Sequence, residues 1–253
     1  MKFEGFEIRR ALVIYAHPDD AEYGAAGTVA EWCAQGVDVK YVLCTNGASG
    51  SSDPDMTRER LAAIRIEEQR AAAAVLGVSE VIPLGFEDGY LYPDLELRKA
   101  VTREVRRWRP DAVITPHDPA MRSFAGSYLN HPDHLAVGEV VYRAINPDAS
   151  SGLMFPELWR EEGFEPFLPK LLLVSNFAEG STYVDISERL EQKIEALMCH
   201  RSQLGENPEE SVGGWVRERA AEVGKLGGFA AAEAFNLFRT GEDSDVPVGA
   251  ADN

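Results

Sequence analysis

The strongest constraint on how this chain folds is an alternation of short, mostly apolar blocks with longer segments of helical character. Ala11 to Tyr15 is a continuous apolar run that breaks into polar residues at His17, as a strand buried on both faces would. Gly24 to Gln35 then reads as a helix closed by Gly36, and VDVKYVLCTNG as a second strand and turn. A long helix from Thr57 to Leu76 stops at Gly77, a left-handed cap residue. EVIPLGF is a third strand. Asp94 caps a helix running to about Trp108, and Arg109-Pro110 ends it. DAVITP is a fourth strand, and NHPDHLAVGEVVYRAI the helix that follows. KLLLVSN is a fifth strand, Tyr183 to Ile186 a candidate sixth, and Ser187 to Leu204 a helix with Ser187 at its N-cap. This order predicts an α/β fold with a Rossmann-like, mostly parallel sheet and helices on both faces. The expected organisation is one domain over residues 1–240, with an excursion at about 146–169 and a flexible polar tail over 241–253. The excursion carries Phe155, Trp159, Phe164 and Phe167, as a lid or an interface would.

At 45% hydrophobic the 253 residues suffice for a full core, yet no run of about 18 apolar residues predicts a membrane span. The opening MKFEGFEIRR lacks the apolar stretch of a signal peptide, so the expectation is a cytoplasmic protein beginning where the sequence begins. Cys33, Cys44 and Cys199 are odd in number and sit in apolar or helical patterns, which predicts reduced, packed thiols. The formal charge of -17 repels nucleic acid and anionic membranes. A small neutral substrate suits it better.

The chemistry is concentrated in two tetrads. In open α/β sheets ligands bind beyond the carboxyl ends of the strands. The first strand delivers His17-Pro18-Asp19-Asp20 there, and the helix after the fourth begins His131-Pro132-Asp133-His134. They hold three of the chain's five histidines. A lone His-Pro-Asp is ordinary turn and cap chemistry, but two at equivalent strand ends are not. A His and an Asp three apart converge on one ion when the backbone between them turns, so His17 and Asp20, completed by His134, form a His-Asp-His set. Two imidazoles and a carboxylate suit Zn²⁺ with a position open for water, and Fe²⁺ fits the same donors. Asp19 is then placed to take a proton from that water. Asp133 is expected to orient His131, whose protonated ring would stabilise an oxyanion or protonate a leaving amine. A dinucleotide site is disfavoured, because the first strand lacks G-x-G-x-x-G and carboxylates would repel a pyrophosphate.

With AHPDDAEYGAAGT, RIEEQRAAAAVLG, LGFEDGYL, RPDAVIT, HPDH and VDISERLEQKIEALMCHRSQ in this order, the chain resembles the LmbE/PIG-L family of zinc-dependent N-acetylglucosaminyl deacetylases over most of its length. The resemblance implies a mononuclear metal site and hydrolysis of an N-acetyl group on a glucosamine-containing small molecule. Position by position it implies His17, Asp20 and His134 as ligands, Asp19 as general base, and His131, tuned by Asp133, as electrostatic partner. It also makes Asp88 a sugar-hydroxyl acceptor and self-association an expectation. Some members place a tyrosine two residues before HPDH, where this chain has Leu129 with Tyr128 adjacent. The loop TNGASGSSDP lacks an arginine that some members carry, and the insert MRSFAGSYLN reads as a specificity element.

Arg65, Tyr128 and His117 are further substrate-binding candidates. For Arg65 a solvated helix face is the alternative. Glu22 either supports the first tetrad or caps its helix, and His200 reads as a cation at a helix end. Trp159 and Phe164 would stack on a sugar or bury a loop. The leading function is amide deacetylation; an amidase acting on a larger conjugate and a non-catalytic sugar-binding relative are the alternatives. The acyl acceptor stays open among inositol, malate, disaccharide and antibiotic conjugates.

Overall fold

A computed structural model of the protein describes residues 1–124 and 128–241. Seven strands form the central sheet: β1 Arg10–Tyr15, β2 Asp38–Thr45, β3 Glu80–Phe86, β4 Ala112–Thr115, β5 Leu171–Asn176, β6 Thr182–Asp185 and β7 Ala232–Arg239. Their spatial order is β6-β7-β5-β4-β1-β2-β3. The five strands from β5 to β3 run parallel, while β7 pairs antiparallel with both β5 and β6. The expected Rossmann-like sheet is what forms, with an antiparallel margin added.

The reason lies in the side-chain period of two. Along β1, Ala11, Val13 and Tyr15 enter one core and Leu12 and Ile14 the other, so both faces must be covered. Helices α1 (Asp20–Ala34), α2 (Arg58–Leu76) and α6 (Leu190–Leu197) supply Ala25, Ala72 and Ala196 to the first. Helices α3 (Leu95–Trp108) and α4 (Pro132–Arg143) supply Val101 and Val137 to the second. Two more helices lie along the chain, the short α5 (Pro156–Arg160) before β5 and α7 (Gly214–Gly227) before β7. Pro83 lies in β3, an edge strand, where a missing N–H costs least.

Several boundaries differ from expectation. The first helix starts at Asp20, four residues before Gly24, so it carries the end of the first tetrad inside it. The late helix spans Leu190–Leu197 rather than Ser187 to Leu204, with turns following it to Gln203. Helix α7 and strand β7 stand where no element was expected. The tail from residue 242 onward lies outside the described residues.

The aromatic excursion is held in place rather than loose. The Arg106 guanidinium, 1% exposed, donates to the carbonyls of Asp148, Ala149, Ser151 and Met154 at 2.6–3.2 Å. Arg98 grips the Asp148 carboxylate with two bonds of 2.7 and 2.9 Å. Residues 148–155 are thereby fastened to α3. All three cysteines are free, with Cys44 buried. No helix among the described residues is long and apolar enough to cross a membrane.

Candidate active site

β1 and β4 are neighbours, and the chain winds outward from them in opposite directions, which opens a crevice beyond their carboxyl ends. His17 follows β1, and His117 follows β4. Two glycines let the flanking helices close on this point. A Cβ at Gly24 in α1 would lie 2.4 Å from Cβ of Pro116, and one at Gly138 in α4 would lie 2.7 Å from the His117 carbonyl. The close approach brings the starts of α1 and α4, and with them the two tetrads, face to face.

His17 Nδ1 lies 3.1 Å from His134 Nε2 and 3.4 Å from Asp20 Oδ2, while His134 Nε2 lies 3.2 Å from Asp20 Oδ1. The opposite sides of both rings decide what these atoms are. His17 Nε2 faces two carboxylate oxygens, Asp133 Oδ2 and Asp88 Oδ1, each at 3.2 Å, so that nitrogen carries the proton. His134 Nδ1 lies 3.0 Å from Asn130 Oδ1. That amide is oriented by its own Nδ2 donating to Met121 O at 2.7 Å and by the His131 N–H donating to Oδ1 at 2.9 Å. His134 Nδ1 is therefore a donor too. In the neutral rings, the lone pairs of His17 Nδ1 and His134 Nε2 point at each other beside the Asp20 carboxylate. Either a metal ion or a proton on His17 Nδ1, shared with His134 Nε2, relieves that arrangement. A tetrahedral ion with bonds of about 2.0–2.1 Å separates its ligand atoms by about 3.3–3.4 Å, close to the spacings here. The residues fit a metal, and the carboxylates behind His17 are the partners a ligating imidazole requires.

His117 lies closer to the centre than a pocket-lining role needs. Its Nε2 accepts the Ala16 N–H at 3.0 Å and sits 3.2 Å from Asp20 Oδ2, and its ring stacks on His134 with centroids 4.2 Å apart. Burial pushes its pKa down to about 4, so it is neutral. Asp20, His117 and His134 form one set of clustered donor atoms, and His17, His131 and His134 another.

Asp133 does not orient His131. Its carboxylate accepts the N–H groups of Gly89 and Leu91 at 2.8 and 3.2 Å and faces His17. The relation runs the other way: the Asp133 backbone N–H donates to His131 Nδ1 at 3.2 Å, making His131 the N-cap of α4. Nε2 therefore carries the His131 proton. Burial and the neighbouring His17 hold its pKa below the ordinary value, so the ring is a neutral donor rather than the expected imidazolium.

Asp88 is buried at 4% exposure, with one oxygen on His17 and the other accepting the Ser49 N–H at 2.7 Å. This binds it to the protein rather than to a sugar hydroxyl. Arg65 is 4% exposed and not on a solvated face. It donates to the carbonyls of Gly47 and Pro18 and to Asp19 Oδ2 at 3.2 Å. Leu129 is solvent-exposed, and the Tyr128 side chain lies outside the described residues.

Asp19 has φ 101° and ψ -26°, a strained conformation for a side-chain-bearing residue, of the kind that clusters at functional sites. Its N–H donates to Gln69 Oε1 at 3.1 Å. Gln69 in turn donates to Glu22 Oε1 at 3.0 Å, and Glu22 Oε2 lies 3.1 Å from His200 Nε2. All three are fully or almost fully buried, so Glu22 supports the tetrad and His200 is a buried partner rather than a surface cation. Burial, followed by the adjacent Asp20 carboxylate, pushes the Asp19 carboxyl up, and Arg65 pulls it back. Gln69 and Asn130 were not singled out from sequence. A signal for Gln69 existed: Arg65 and Gln69 interrupt the buried stripe Leu61, Ala72, Leu76 of α2 at four-residue spacing.

A cavity of about 150 Å³ opens beside this cluster, lined by Asp20, Tyr23, His117, Asn130, His134 and Phe177. No residue of the aromatic excursion, Trp159 and Phe164 included, lines it.

The family described as PIG-L, GlcNAc-PI de-N-acetylase, matches residues 12–145. The chain is 32% identical to diacetylchitobiose deacetylase of Thermococcus kodakarensis, over 91% of this chain and 84% of that protein. It is 33% identical to a probable N-acetyl-alpha-D-glucosaminyl L-malate deacetylase 2 of Bacillus anthracis, over 78% of this chain and 82% of that one. Among solved structures, N,N'-diacetylchitobiose deacetylase from Pyrococcus horikoshii superposes with a TM-score of 0.84 at 28% identity, covering 92% of this chain and 85% of that one. Sheet order, paired tetrads and these matches agree: the chain belongs to the PIG-L family of de-N-acetylases.

Proposed function

We propose that this protein is a metal-dependent hydrolase that removes the acetyl group from the amide nitrogen of an N-acetylglucosamine-type small molecule. The observation that carries the reading is the convergence of His17 Nδ1, His134 Nε2 and the Asp20 carboxylate, whose atoms lie 3.1–3.4 Å apart. His17, Asp20 and His134 would hold the ion, with His117 packed against Asp20 and His134. Two nitrogens and a carboxylate favour Zn²⁺, and Fe²⁺ suits them as well. When bound, such an ion polarises the amide carbonyl and makes water a better nucleophile.

The remaining work falls to the chain's own groups. Asp19 takes a proton from the attacking water onto its carboxylate, which is 18% exposed and so reachable. The tetrahedral carbon then expels the amine, and Asp19 returns the proton to nitrogen as the C–N bond breaks. The His131 Nε2–H is suited to donate to the developing oxyanion without itself changing protonation. Arg65 and Gln69 hold Asp19 in place. The names of the relatives, which act on N-acetylated glucosamine derivatives, support the substrate class.

The test is elemental analysis of purified protein together with acetate release from N-acetylglucosamine conjugates, with and without chelator. About one zinc or iron per chain and chelator-sensitive release are expected. A chain that takes up no metal after reloading would end this reading.

A further inference from the structure

The cavity beside Asp20 and His134 is small, but it is continuous with a larger groove. Tyr23, Met121 and Phe177 line both. The groove encloses about 840 Å³ and is completed by Ser211, Val212, Trp215 and Arg219. The inner volume of about 150 Å³ falls below the range of roughly 300–1,000 Å³ typical of ligand sites, whereas the outer one lies within it. The inner cavity therefore suits a reacting acetamido group, and the rest of the substrate must extend outward.

The groove wall says what kind of group that is. Trp215, on the first turn of α7, is 44% exposed and is met by Tyr23 at 6.2 Å and Phe177 at 6.5 Å between ring centroids. Three rings meeting at a partly open tryptophan make an apolar platform, onto which a ring with an apolar face stacks. The charge of the lining is equally informative. The one charged side chain among its described residues, Arg219, is paired with Glu222 at 2.9 Å. Among the described residues that lining offers a dicarboxylate or a phosphate no cation without a carboxylate partner, and the net charge of -17 works against an anion.

Building on the deacetylase reading, we propose that this groove is a subsite for a second, neutral sugar ring linked to the amino sugar whose acetyl group is removed, with Trp215 as its stacking platform. The preferred substrate class is then an N-acetylated disaccharide, in preference to a monosaccharide or an acidic conjugate.

The test compares kcat/KM for acetate release from N-acetylglucosamine, N,N'-diacetylchitobiose and N-acetylglucosaminyl malate, using metal-loaded protein. The disaccharide should exceed the other two by about tenfold or more, the factor that one good ring contact supplies. Trp215→Ala should bring the disaccharide-to-monosaccharide ratio close to one, and Trp215→Phe should restore most of it. Equal rates on the mono- and disaccharide, a malate conjugate that is preferred, or a ratio unaltered by Trp215→Ala would each overturn the assignment. A second measurement separates this inference from the reading it builds on. Tryptophan fluorescence of the Asp19→Asn variant, titrated with diacetylchitobiose, should show a saturable change that is lost when Trp215→Ala is added. Should no conjugate be hydrolysed, the deacetylase reading fails while this titration still decides the subsite, and no saturable change overturns it.

Discussion

The backbone N–H of Asp19 donates to Oε1 of Gln69 at 3.1 Å, across the gap between the first tetrad and the middle of α2. The bond holds a residue at φ 101°, where a side chain costs about 1–3 kcal/mol unless its surroundings impose it. Gln69 is itself fixed by Glu22 and, through Glu22, by His200. A buried chain of four residues thus sets where the proposed base stands.

Gln69→Leu keeps the volume and removes the acceptor. The expected outcome is a fall in kcat of roughly ten- to a hundredfold, the scale of a misplaced reacting group, with KM and metal content little altered. A kcat equal to that of the parent enzyme would show that Arg65 alone holds Asp19.

Asp19→Asn tests the base directly. The amide preserves shape but accepts no proton, so acetate release should drop by about 10²–10⁴-fold. Metal content should stay near the parent value, because Asp19 is absent from the donor sets clustered at the centre. Retained activity would move the proton to another group, and lost metal would make Asp19 a ligand.

Asp133→Asn distinguishes two roles. An Asp133 that served His131 would, when replaced, leave metal affinity intact and harm turnover alone. In the observed geometry Asp133 and Asp88 both back the Nε2–H of His17. Either asparagine variant should therefore weaken metal binding by about 10–100-fold, measured by competition with a chelator. Unchanged affinity in both would leave His17 without a ligand role.

The tetrads were legible because their chemistry is local. Apolar blocks place them at strand ends, and a histidine three residues from an aspartate needs only a turn to converge. The allegiance of Asp133 was not legible, since it depends on the loop after β3 bringing Gly89 and Leu91 against the start of α4. The resemblance makes Asp88 a sugar contact, and Arg65 reads as either a substrate contact or a solvated helix residue, yet both are buried and bonded to the protein. Strand β7 escaped notice because Glu233 interrupts its apolar character. That carboxylate is buried against Lys193 at 2.6 Å and also receives the N–H groups of Gly27 and Thr28, compensation supplied by α6 and α1. Helix α7 was masked by the glycines at both its ends, although it carries the tryptophan of the outer groove.

The acid limb of metal binding follows from His17. Burial alone would lower its pKa, but hydrogen bonds to Asp133, Asp20 and Asp88 outweigh that and raise it well above the ordinary value. Without metal the ring therefore holds a proton on each nitrogen at neutral pH, and the Nδ1 proton sits where the ion must bind. Metal uptake has to expel it, so protons compete with the ion and affinity falls as pH falls. Zinc affinity should rise with pH, by up to roughly tenfold per unit while the ring is still protonated, with release of about one proton per ion. Titrations in buffers of different ionisation enthalpy would count that proton. An affinity independent of pH, with none released, would mean that His17 Nδ1 is already a free lone pair in the metal-free protein, contrary to the three carboxylates around it.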